Sequence, residues 1–278
     1  MIRISAFSDE LSPCLDEQIA WLVNHQVKWM EIRFVDERNI TTFTEEEAQE
    51  IRHKLDEAGI GVSAVASPIG KYPIDAPFEP HFELFKHTVR LAQVLSAPFV
   101  RIFSFYPPEG CCIEEYEEQV LARMRQMASW AEAEGVRLAH ENEAHIFGHT
   151  AKNCATLMRE VASKAMVQAY DPANYVWGEG ITDNMCSCWP LVAPYVEHIH
   201  IKDWKLGSTE IGSLAGDGDG QIDLLFAAMA ERRYSGFVTL EPHLSEGGQF
   251  GGHTSPEQFA ATLERVRNFC TKYDLPFE

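Results

Sequence analysis

The sequence predicts a single α/β domain over residues 1–278, folded as a (β/α)8 TIM barrel. Eight strand-like apolar runs alternate with helix-like amphipathic segments along the whole chain. Their last apolar residues recur at intervals of about 26 to 40 positions, and the length of 278 residues is close to the ~250 that is typical of this fold. No shift in composition marks a linker between two domains.

Four strands are predicted in the first half of the chain, because four runs are rich in β-branched and aromatic residues. They cover residues 2–7, 27–33, 61–66 and 97–103. Between them, apolar side chains recur at helical spacing, as they do at Leu15, Ile19 and Leu22. Thr44 and Glu47 have the spacing of a capping box at a helix start. Strand and helix therefore alternate regularly here.

The second half repeats this order. Strands are predicted from Val136 and at residues 166–170, 196–201 and 237–240, and helical segments begin near residues 150, 189, 223 and 255. The last helix combines a capping serine, Ser255, with a proline at the first helical position, Pro256. The Gly-Asp-Gly-Asp-Gly segment at residues 216–220 is predicted to form a flexible lid over the carboxyl ends of the strands.

A doubly wound open sheet is the alternative architecture, since it also alternates strands with helices. Its usual mark is a glycine-rich turn after the first strand, which binds a dinucleotide phosphate. Residues 7–13, with the sequence FSDELSP, contain no glycine. The barrel is therefore favoured, and in a barrel the carboxyl ends of all eight strands face one pocket.

The formal net charge of −19 and the sequence pI near 4.9 argue against a nucleic-acid partner, because that affinity rests on Lys and Arg side chains neutralising phosphates. A small-molecule substrate fits this composition better. No segment approaches the ~20 apolar residues of a membrane span, and the N-terminal residues enter a strand without a signal-peptide pattern. We therefore expect a cytoplasmic protein with no membrane partner, and a homo-oligomer is compatible with the sequence.

Four residues with metal-ligating side chains lie at the carboxyl ends of the last four predicted strands: Glu141, Asp171, His200 and Glu241. One carboxylate at a strand end is usually a helix cap or a solvated group, but four in succession on one face of a barrel indicate a shared site. Three carboxylates and one imidazole, with no thiolate, favour a divalent ion such as Mn, Mg, Co or Zn. The sequence therefore predicts a metal centre at the mouth of the barrel.

A metal ion in this position would chelate adjacent carbonyl and hydroxyl oxygens of a sugar, which acidifies the C–H bond between them. Glu141 and Glu241 lie on strands that a closed barrel separates by three steps. One of these carboxylates would remove the proton from the substrate and the other would return it, through an enediolate. We predict these two residues as the catalytic acid and base.

Inward-pointing residues of the seventh strand add further candidates, since side chains two positions apart share a face of a strand. His198 and Lys202 share the inward face with His200. His198 is interpreted as a hydrogen-bonded core histidine. Lys202 is a candidate to bind a substrate oxygen or phosphate, or alternatively to form a salt bridge with Glu31 or another strand-end carboxylate.

Three more residues are candidate substrate contacts. Lys71 follows the third strand and Arg101 lies within the fourth, and each would bind an anionic group unless it forms an ordinary ion pair. His243 comes shortly after Glu241 and would either contact the substrate or orient that carboxylate. Glu143 is interpreted as a supporting loop residue and not as a ligand.

Six segments carry a family resemblance: VRLAHENEAH, AYDPANY, HIHIKDW, LEPHL, SPIGKY and RIFSFY. Together they resemble the sugar phosphate isomerase/epimerase proteins of the xylose-isomerase-like barrel superfamily, from FSDE near the start to EPHL near the end. In relatives such as the ketose 3-epimerases, Glu, Asp, His and Glu at these strand ends bind one Mn or a similar ion, and the two Glu act as acid and base. The resemblance implies the same roles for Glu141, Asp171, His200 and Glu241, with manganese as the preferred ion.

The chain departs from the ketose 3-epimerase pattern at two positions. Those epimerases have a substrate-binding His three residues after the ligand Asp, where this chain has Asn174, and an Arg six residues after the ligand His, where it has Leu206. Asn174 is retained as a candidate substrate contact at that position. Both departures concern the substrate side of the site and leave the four ligands intact.

These observations predict a divalent-metal-dependent isomerase or epimerase that acts on a sugar, a sugar phosphate or a polyol derivative. A dehydratase of a keto-polyol, as are the inosose and dehydroshikimate dehydratases of the superfamily, would use the same ligands. An apurinic endonuclease would require additional histidine ligands for a metal cluster and would suit the acidic composition poorly. A non-catalytic sugar-binding barrel is the remaining alternative, in which Glu241 would be dispensable.

Overall fold

Eight parallel strands close into a barrel in the computed structural model, which describes residues 1–208, 211–248 and 251–278. The strands are β1 (Arg3–Ala6), β2 (Trp29–Ile32), β3 (Gly61–Ala66), β4 (Phe99–Ile102), β5 (Arg137–Glu141), β6 (Met166–Tyr170), β7 (Val196–Ile201) and β8 (Phe237–Leu240). Each strand pairs with the next one along the chain, and β8 closes the barrel against β1. The predicted (β/α)8 fold and the single domain are confirmed.

Helices follow the strands and pack their apolar faces against the outside of the barrel. They are α1 (Leu15–Asn24), α2 (Glu45–Glu57), α3 (Phe78–Val94), α4 (Glu117–Ala133), α5 (Ala151–Val161), α6 (Pro172–Glu179), α7 (Asn184–Ser187), α8 (Trp189–Val192), α9 (Ile222–Glu231) and α10 (Pro256–Lys272). Antiparallel two-stranded pairs join Phe34–Val35 to Arg38–Asn39 and Glu246–Gly248 to Gly251–His253. None of the described helices has the length and apolar character needed to cross a membrane.

Helix starts follow the predicted capping chemistry. The Thr44 hydroxyl accepts from the Glu47 backbone N–H at 3.2 Å, while the Glu47 carboxylate accepts from the Thr44 N–H at 2.8 Å. Ser255 caps α10 in the same way, through the Gln258 N–H at 3.3 Å. These side chains satisfy backbone donors that a helix start leaves without partners, so both boundaries are determined locally.

The barrel interior is filled in layers, because alternate residues of each strand point inward. Aromatic and small apolar residues fill it toward the amino-terminal ends of the strands: Trp29, Ala64, Phe99, Ala139, Val167, Ala169 and Phe237. Polar residues replace them toward the carboxyl ends. On β8, Thr239 follows Phe237 on the inward face, and the register places it opposite His200 of β7. An apolar floor therefore supports the polar layer that carries the site.

The loop after β3 packs closely against the end of β4. Gly70 has φ +89°, and a Cβ atom there would lie 2.1 Å from the carbonyl oxygen of Phe103, so only glycine fits. The Phe105 N–H donates to the Gly70 carbonyl at 2.7 Å, and the Gly70 N–H donates to His81 Nε2 at 3.0 Å. This close approach places the next residue, Lys71, at the carboxyl end of the barrel.

The segment at residues 216–220 is held in place, so the prediction of a flexible lid is wrong. The carboxylate of Asp203, which is 1% exposed, accepts hydrogen bonds from the backbone N–H groups of Gly216, Gly218 and Gly220, each at 2.9 Å. A Cβ atom on Gly218 would lie 2.4 Å from Asp203 Oδ1. The glycines are therefore needed to wrap the backbone around a buried carboxylate.

Candidate metal centre

A cavity of about 300 Å³ opens at the carboxyl ends of the barrel strands. Its charged and titratable lining residues are Arg33, Lys71, Arg101, Glu141, Glu143, Lys202, Glu241 and His243. Phe34, Asn39 and Thr41, from the segment after β2, form a less polar part of the lining. A concave site at this end of the barrel, with convergent polar groups, is where a TIM barrel binds its ligand.

The structure brings the four predicted ligands together. Glu141, Asp171, His200 and Glu241 each offer one ligand atom, and these four atoms lie within 4.8 Å of one another. Nδ1 of His200 is 3.3 Å from Glu141 Oε1 and 3.3 Å from Glu241 Oε2. All four residues are buried, with 5% exposure or less. The strand-end pattern in the sequence therefore corresponds to one compact cluster.

The two carboxylate oxygens of Asp171 have different surroundings. Its Oδ1 accepts from the backbone N–H groups of Ala173 and Asn174, at 2.8 and 3.1 Å, and so caps α6, which the sequence prediction missed. Asn142 ties this strand end to β5, since its side chain donates to the Asp171 carbonyl at 2.7 Å and accepts from the Asp171 N–H at 2.9 Å. Oδ2 of Asp171 is left to face the cluster.

The donor set fits a divalent cation. His200 Nδ1 and Glu241 Oε2 have no hydrogen-bond partner among the described residues, whereas buried polar atoms usually have one. Asp171 Oδ2 also faces the cluster, where it forms an ion pair with Lys202. The 3.3 Å separations also suit ligands of a single ion, since ligand–metal distances of ~2.0 to 2.3 Å place neighbouring ligands about 3 Å apart. Three carboxylates with one imidazole are typical of Mn, Mg, Co or Zn sites.

Electrostatics at the cluster are dominated by burial and by like charges. Burial raises the pKa of Asp171; Lys202 opposes this effect and the neighbouring carboxylates of Glu141 and Glu241 add to it, so that the pKa reaches about 7. Burial also opposes ionisation of Glu141, but His200 and Arg101 outweigh it and lower the pKa of Glu141 to about 2. The cluster is thus a concentration of negative charge that calls for positive charge nearby.

Three cationic side chains lie around this cluster, and each forms an ion pair with a carboxylate. Lys202 Nζ is 2.8 Å from Asp171 Oδ2, and burial, which would lower the pKa of Lys202, is outweighed by Asp171 and the other carboxylates, so its pKa is raised. Arg101 Nε is 3.4 Å from Glu141 Oε2, and Lys71 Nζ is 3.1 Å from Glu143 Oε2. Of the two alternatives for Lys202, the structure shows the ion pair with a strand-end carboxylate, and Lys202 also lines the cavity.

His243 lies where it contacts two carboxylates. Its Nε2 is 3.4 Å from Glu241 Oε1 and 3.3 Å from Glu10 Oε1, and its backbone has a left-handed φ of 50°. Its own N–H donates to Glu10 Oε2 at 3.0 Å, which holds this sparsely populated conformation. His243 is therefore placed both to line the cavity and to orient Glu241.

Asn174 is placed differently from the other predicted substrate contacts. Its side-chain amide donates to Glu141 Oε1 at 3.2 Å and to the Asn142 carbonyl at 2.9 Å. The described cavity lining does not include it. Asn174 therefore orients Glu141, because its amide is turned toward β5 and away from the space that a substrate would fill.

Strand β2 and the residue that follows it contribute two residues that the sequence prediction did not include in the site. Glu31 and Arg33 both point inward, and Arg33 Nη1 donates to Glu241 Oε1 at 3.0 Å. Glu31 accepts from His198 Nε2 at 2.6 Å, which agrees with the interpretation of His198 as a hydrogen-bonded core histidine. Two charged residues at alternate positions of an apolar strand were the signal that would have found them.

Glu10, Glu241 and His243 form a second grouping of ligand-type atoms, also within 4.8 Å. Arg33 lies against it, with Nη1 3.0 Å from Glu241 Oε1 and Nη2 4.0 Å from Glu10 Oε1. The guanidinium already supplies positive charge there. We therefore assign no second ion to this grouping.

The fold is thus a TIM barrel with a candidate divalent-cation site at the carboxyl ends of its strands. The sequence matches the family model described as the xylose isomerase-like TIM barrel over residues 19–269, so the chain belongs to this family. Among curated proteins, none matches the sequence.

Three solved structures show how closely the fold is shared. D-psicose 3-epimerase with D-tagatose, from Clostridium cellulolyticum H10, is 15% identical, with a TM-score of 0.75 over 96% of this chain and 99% of that one. The probable 3-DHS dehydratase AsbF of Bacillus anthracis is 13% identical, with a TM-score of 0.75 over 96% and 99%. A xylose isomerase-like TIM barrel protein of Mycobacterium smegmatis in complex with magnesium is 14% identical, with a TM-score of 0.75 over 99% and 97%. At these identities, the likeness establishes the fold alone.

Proposed function

We propose that the protein is a divalent-cation-dependent isomerase or epimerase of a sugar, a sugar phosphate or a polyol derivative. Glu141, Asp171, His200 and Glu241 would hold one ion, with manganese preferred. The observation that carries the proposal is that Glu141 and Glu241 both line the cavity and both lie 3.3 Å from His200 Nδ1. Two carboxylates thus face one ligand-sized space beside a cation site.

The bound cation would polarise neighbouring carbonyl and hydroxyl oxygens of the substrate and so acidify the C–H bond between them. Glu141 and Glu241 come from β5 and β8, with β6 and β7 between them. They therefore approach a bound carbon from different sides. Removal of the proton by one carboxylate and its return to the same carbon by the other inverts that carbon. Return to the former carbonyl carbon, with transfer of the hydroxyl proton to the former carbonyl oxygen, isomerises the sugar.

The remaining lining residues would orient the substrate so that its carbon lies beside the two carboxylates. Lys202, Lys71 and Arg101 offer donors to hydroxyl, carbonyl or phosphate oxygens, and His243 offers one beside Glu241. Asn174 acts through Glu141, to which its amide donates. The D-tagatose in the solved D-psicose 3-epimerase structure supports a sugar as the substrate class.

We also propose that the protein acts in the cytoplasm on small molecules, with no nucleic-acid or membrane partner. The net charge of −19 supports the part of this proposal that concerns nucleic acid. Magnesium in the Mycobacterium smegmatis structure supports a divalent ion in this fold.

A dehydratase acting on a keto-polyol is the second candidate, and the position of Lys202 favours it. Loss of water needs stabilisation of the leaving hydroxyl as well as a base that takes the C–H proton and passes it to the departing oxygen. Lys202 Nζ lies 4.0 Å from Glu241 Oε2 and lines the cavity, so a cationic hydrogen-bond donor for the leaving hydroxyl lies beside a carboxylate base. The likeness to a probable 3-DHS dehydratase supports the same candidate.

Both candidates are tested by incubating manganese-loaded protein in deuterated water with a panel of keto-sugars, keto-polyols and their phosphates. Deuterium incorporation at carbon with no loss of water supports the isomerase. A product that has lost one water supports the dehydratase. Glu241→Gln is the control that should abolish either result. Absence of exchange across the whole panel would overturn the proposal.

A further inference from the structure

Glu31 lies in the barrel interior, directly below the predicted ligand His200. Its side chain is fully buried, and Oε1 is 3.3 Å from His200 Nε2. Its other oxygen, Oε2, is 2.6 Å from His198 Nε2. The opposite ring nitrogen of His200, Nδ1, faces Glu141 and Glu241. The imidazole is therefore held between a carboxylate below and the ligand cluster above.

The backbone of β2 places Glu31 in this position. Trp29 packs with the apolar residues of the interior and Arg33 lines the cavity, so Glu31 occupies the level between them. The pairing of β2 with β3 shifts register between Met30 and Glu31. The extra residue is Ser63 on β3, because Met30 pairs with Val62 and Glu31 with Ala64. Strand β2 therefore keeps its regular alternation, and Glu31 shares the inward face with Trp29.

Glu31, His198 and His200 also satisfy the spacing of a possible ion site. The distances decide against it. Glu31 Oε2 and His198 Nε2 are 2.6 Å apart, which is the length of a strong hydrogen bond and shorter than the ~3 Å between neighbouring ligands of one ion. The His198 ring also contacts Thr239 Oγ1 at 3.1 Å. This layer is therefore a hydrogen-bonded support and not a second ion site.

We infer that Glu31 is a positioning residue for the cation centre: by accepting from His200 Nε2–H, it orients the ring so that the Nδ1 lone pair points at the other three ligands. The inference rests on the proposed cation site. A carboxylate behind a ligating imidazole selects the tautomer and prevents the ring from turning. Both ring nitrogens of His200 then have a partner: Nε2–H donates to Glu31, and Nδ1 binds the ion.

The inference is tested by titrating Mn2+ into cation-free protein by calorimetry and by measuring metal content. Wild type should bind one ion per chain. Glu31→Gln should bind it about 10- to 100-fold more weakly, and Glu31→Asp, which keeps the carboxylate, should fall between them. Glu197→Gln is the matched control, since this carboxylate lies on the same strand as His200 but pairs with Arg137 at the surface. It should bind like wild type.

Thermal unfolding with and without Mn2+ separates positioning from a general structural role. Positioning predicts that the rise in Tm on adding Mn2+ shrinks in Glu31→Gln, whereas a merely structural role lowers both Tm values equally. Should Glu31→Gln fail to fold, Glu31→Asp decides by the same comparison.

The outcomes are distinguishable. Affinity in the glutamate 31 variants equal to that of wild type would overturn the inference and leave the proposed function standing. Two ions per chain in wild type, with one lost in Glu31→Gln, would make Glu31 a ligand and also overturn it. Failure of wild type to bind Mn2+, Mg2+, Co2+ or Zn2+ would remove the proposed function itself.

Discussion

Arg33 donates a 3.0 Å hydrogen bond from Nη1 to Oε1 of Glu241, across 208 positions of sequence. On its other side, the guanidinium is held by Asp9 through a 2.8 Å hydrogen bond from Nε to Oδ2, and it lies 4.4 Å from the centre of the Phe7 ring. Arg33 therefore fixes one oxygen of Glu241. The other oxygen, Oε2, is left to face His200 and the cation site.

Replacing Arg33 with methionine should destabilise the protein by about 3–5 kcal/mol, because removal of one partner leaves the buried carboxylates of Asp9 and Glu241 uncompensated. Urea unfolding followed by circular dichroism measures the change. Arg38→Met is the control, since Arg38 pairs with Glu47 on the surface and its loss should have little effect. Equal destabilisation of the two variants would contradict this role for Arg33.

Glu241→Gln should reduce turnover by about 10²–10⁴-fold, because the amide cannot accept the substrate proton. The rate of deuterium incorporation from solvent measures this on whichever substrate of the panel exchanges. Glu143→Gln is the matched comparison, since Glu143 lines the same cavity but pairs with Lys71, and a smaller loss is expected. Retention of full exchange in Glu241→Gln would exclude it as acid or base.

Removing the divalent ion should lower Tm, because the three carboxylates of the cluster then face one another without it. A ligand present at 100 times its Kd adds about 2.7 kcal/mol to stability. The measurement is thermal unfolding in EDTA and again after addition of Mn2+. In Asp171→Ala the difference should vanish, and an unchanged Tm in wild type would contradict the cation site.

Asp203→Ala should destabilise the protein by at least about 3 kcal/mol, since it leaves the N–H groups of Gly216, Gly218 and Gly220 without their acceptor. Urea unfolding measures the loss, and hydrogen exchange of these amides should accelerate. Asp217→Asn provides a control in the same segment, because the Asp217 carboxylate pairs with Arg265 at the surface. Unchanged exchange in Asp203→Ala would restore the flexible-lid interpretation.

His149 makes stability depend on pH. Its Nδ1 is 2.7 Å from Glu179 Oε1, and its Nε2 is 3.0 Å from Glu114 Oε1. Partial burial lowers the pKa of His149, but the hydrogen bonds to Glu114 and Glu179 outweigh it, so the pKa lies above its ordinary value. A raised pKa in the folded state gives stability that is complete below the unfolded value of about 6.5 and is lost as pH rises through the folded value.

His149→Gln should therefore cost more stability at about pH 5.5 than at about pH 8.5, on either side of this titration. Urea unfolding of wild type and variant at the two pH values gives the comparison. The same difference at both would show that the charge on His149 makes no contribution.

Much of the site was predictable from two features: the apolar runs that end in ligand-type residues, and the convergence of strand ends in a closed barrel. The apolar runs ending at Glu141, Asp171, His200 and Glu241 are visible in the sequence, and a closed barrel brings the carboxyl ends of its strands together. Helix α6 was missed because Asp171 was interpreted only as a ligand. Its second oxygen caps the helix, and Pro172 at the first helical position was the available signal.

The sequence alone determined the order of strands and helices, the barrel and the four ligand-type residues, since alternation and capping act over a few neighbouring positions. Only the tertiary structure decided that Glu31 contacts His200, 169 positions away, and that Arg33 binds Glu241. It also decided that Lys202 pairs with Asp171 and that Asp203 anchors the glycine segment. Strand periodicity shows which side chains point inward, but the stagger of the barrel determines which inward side chains share a level and touch.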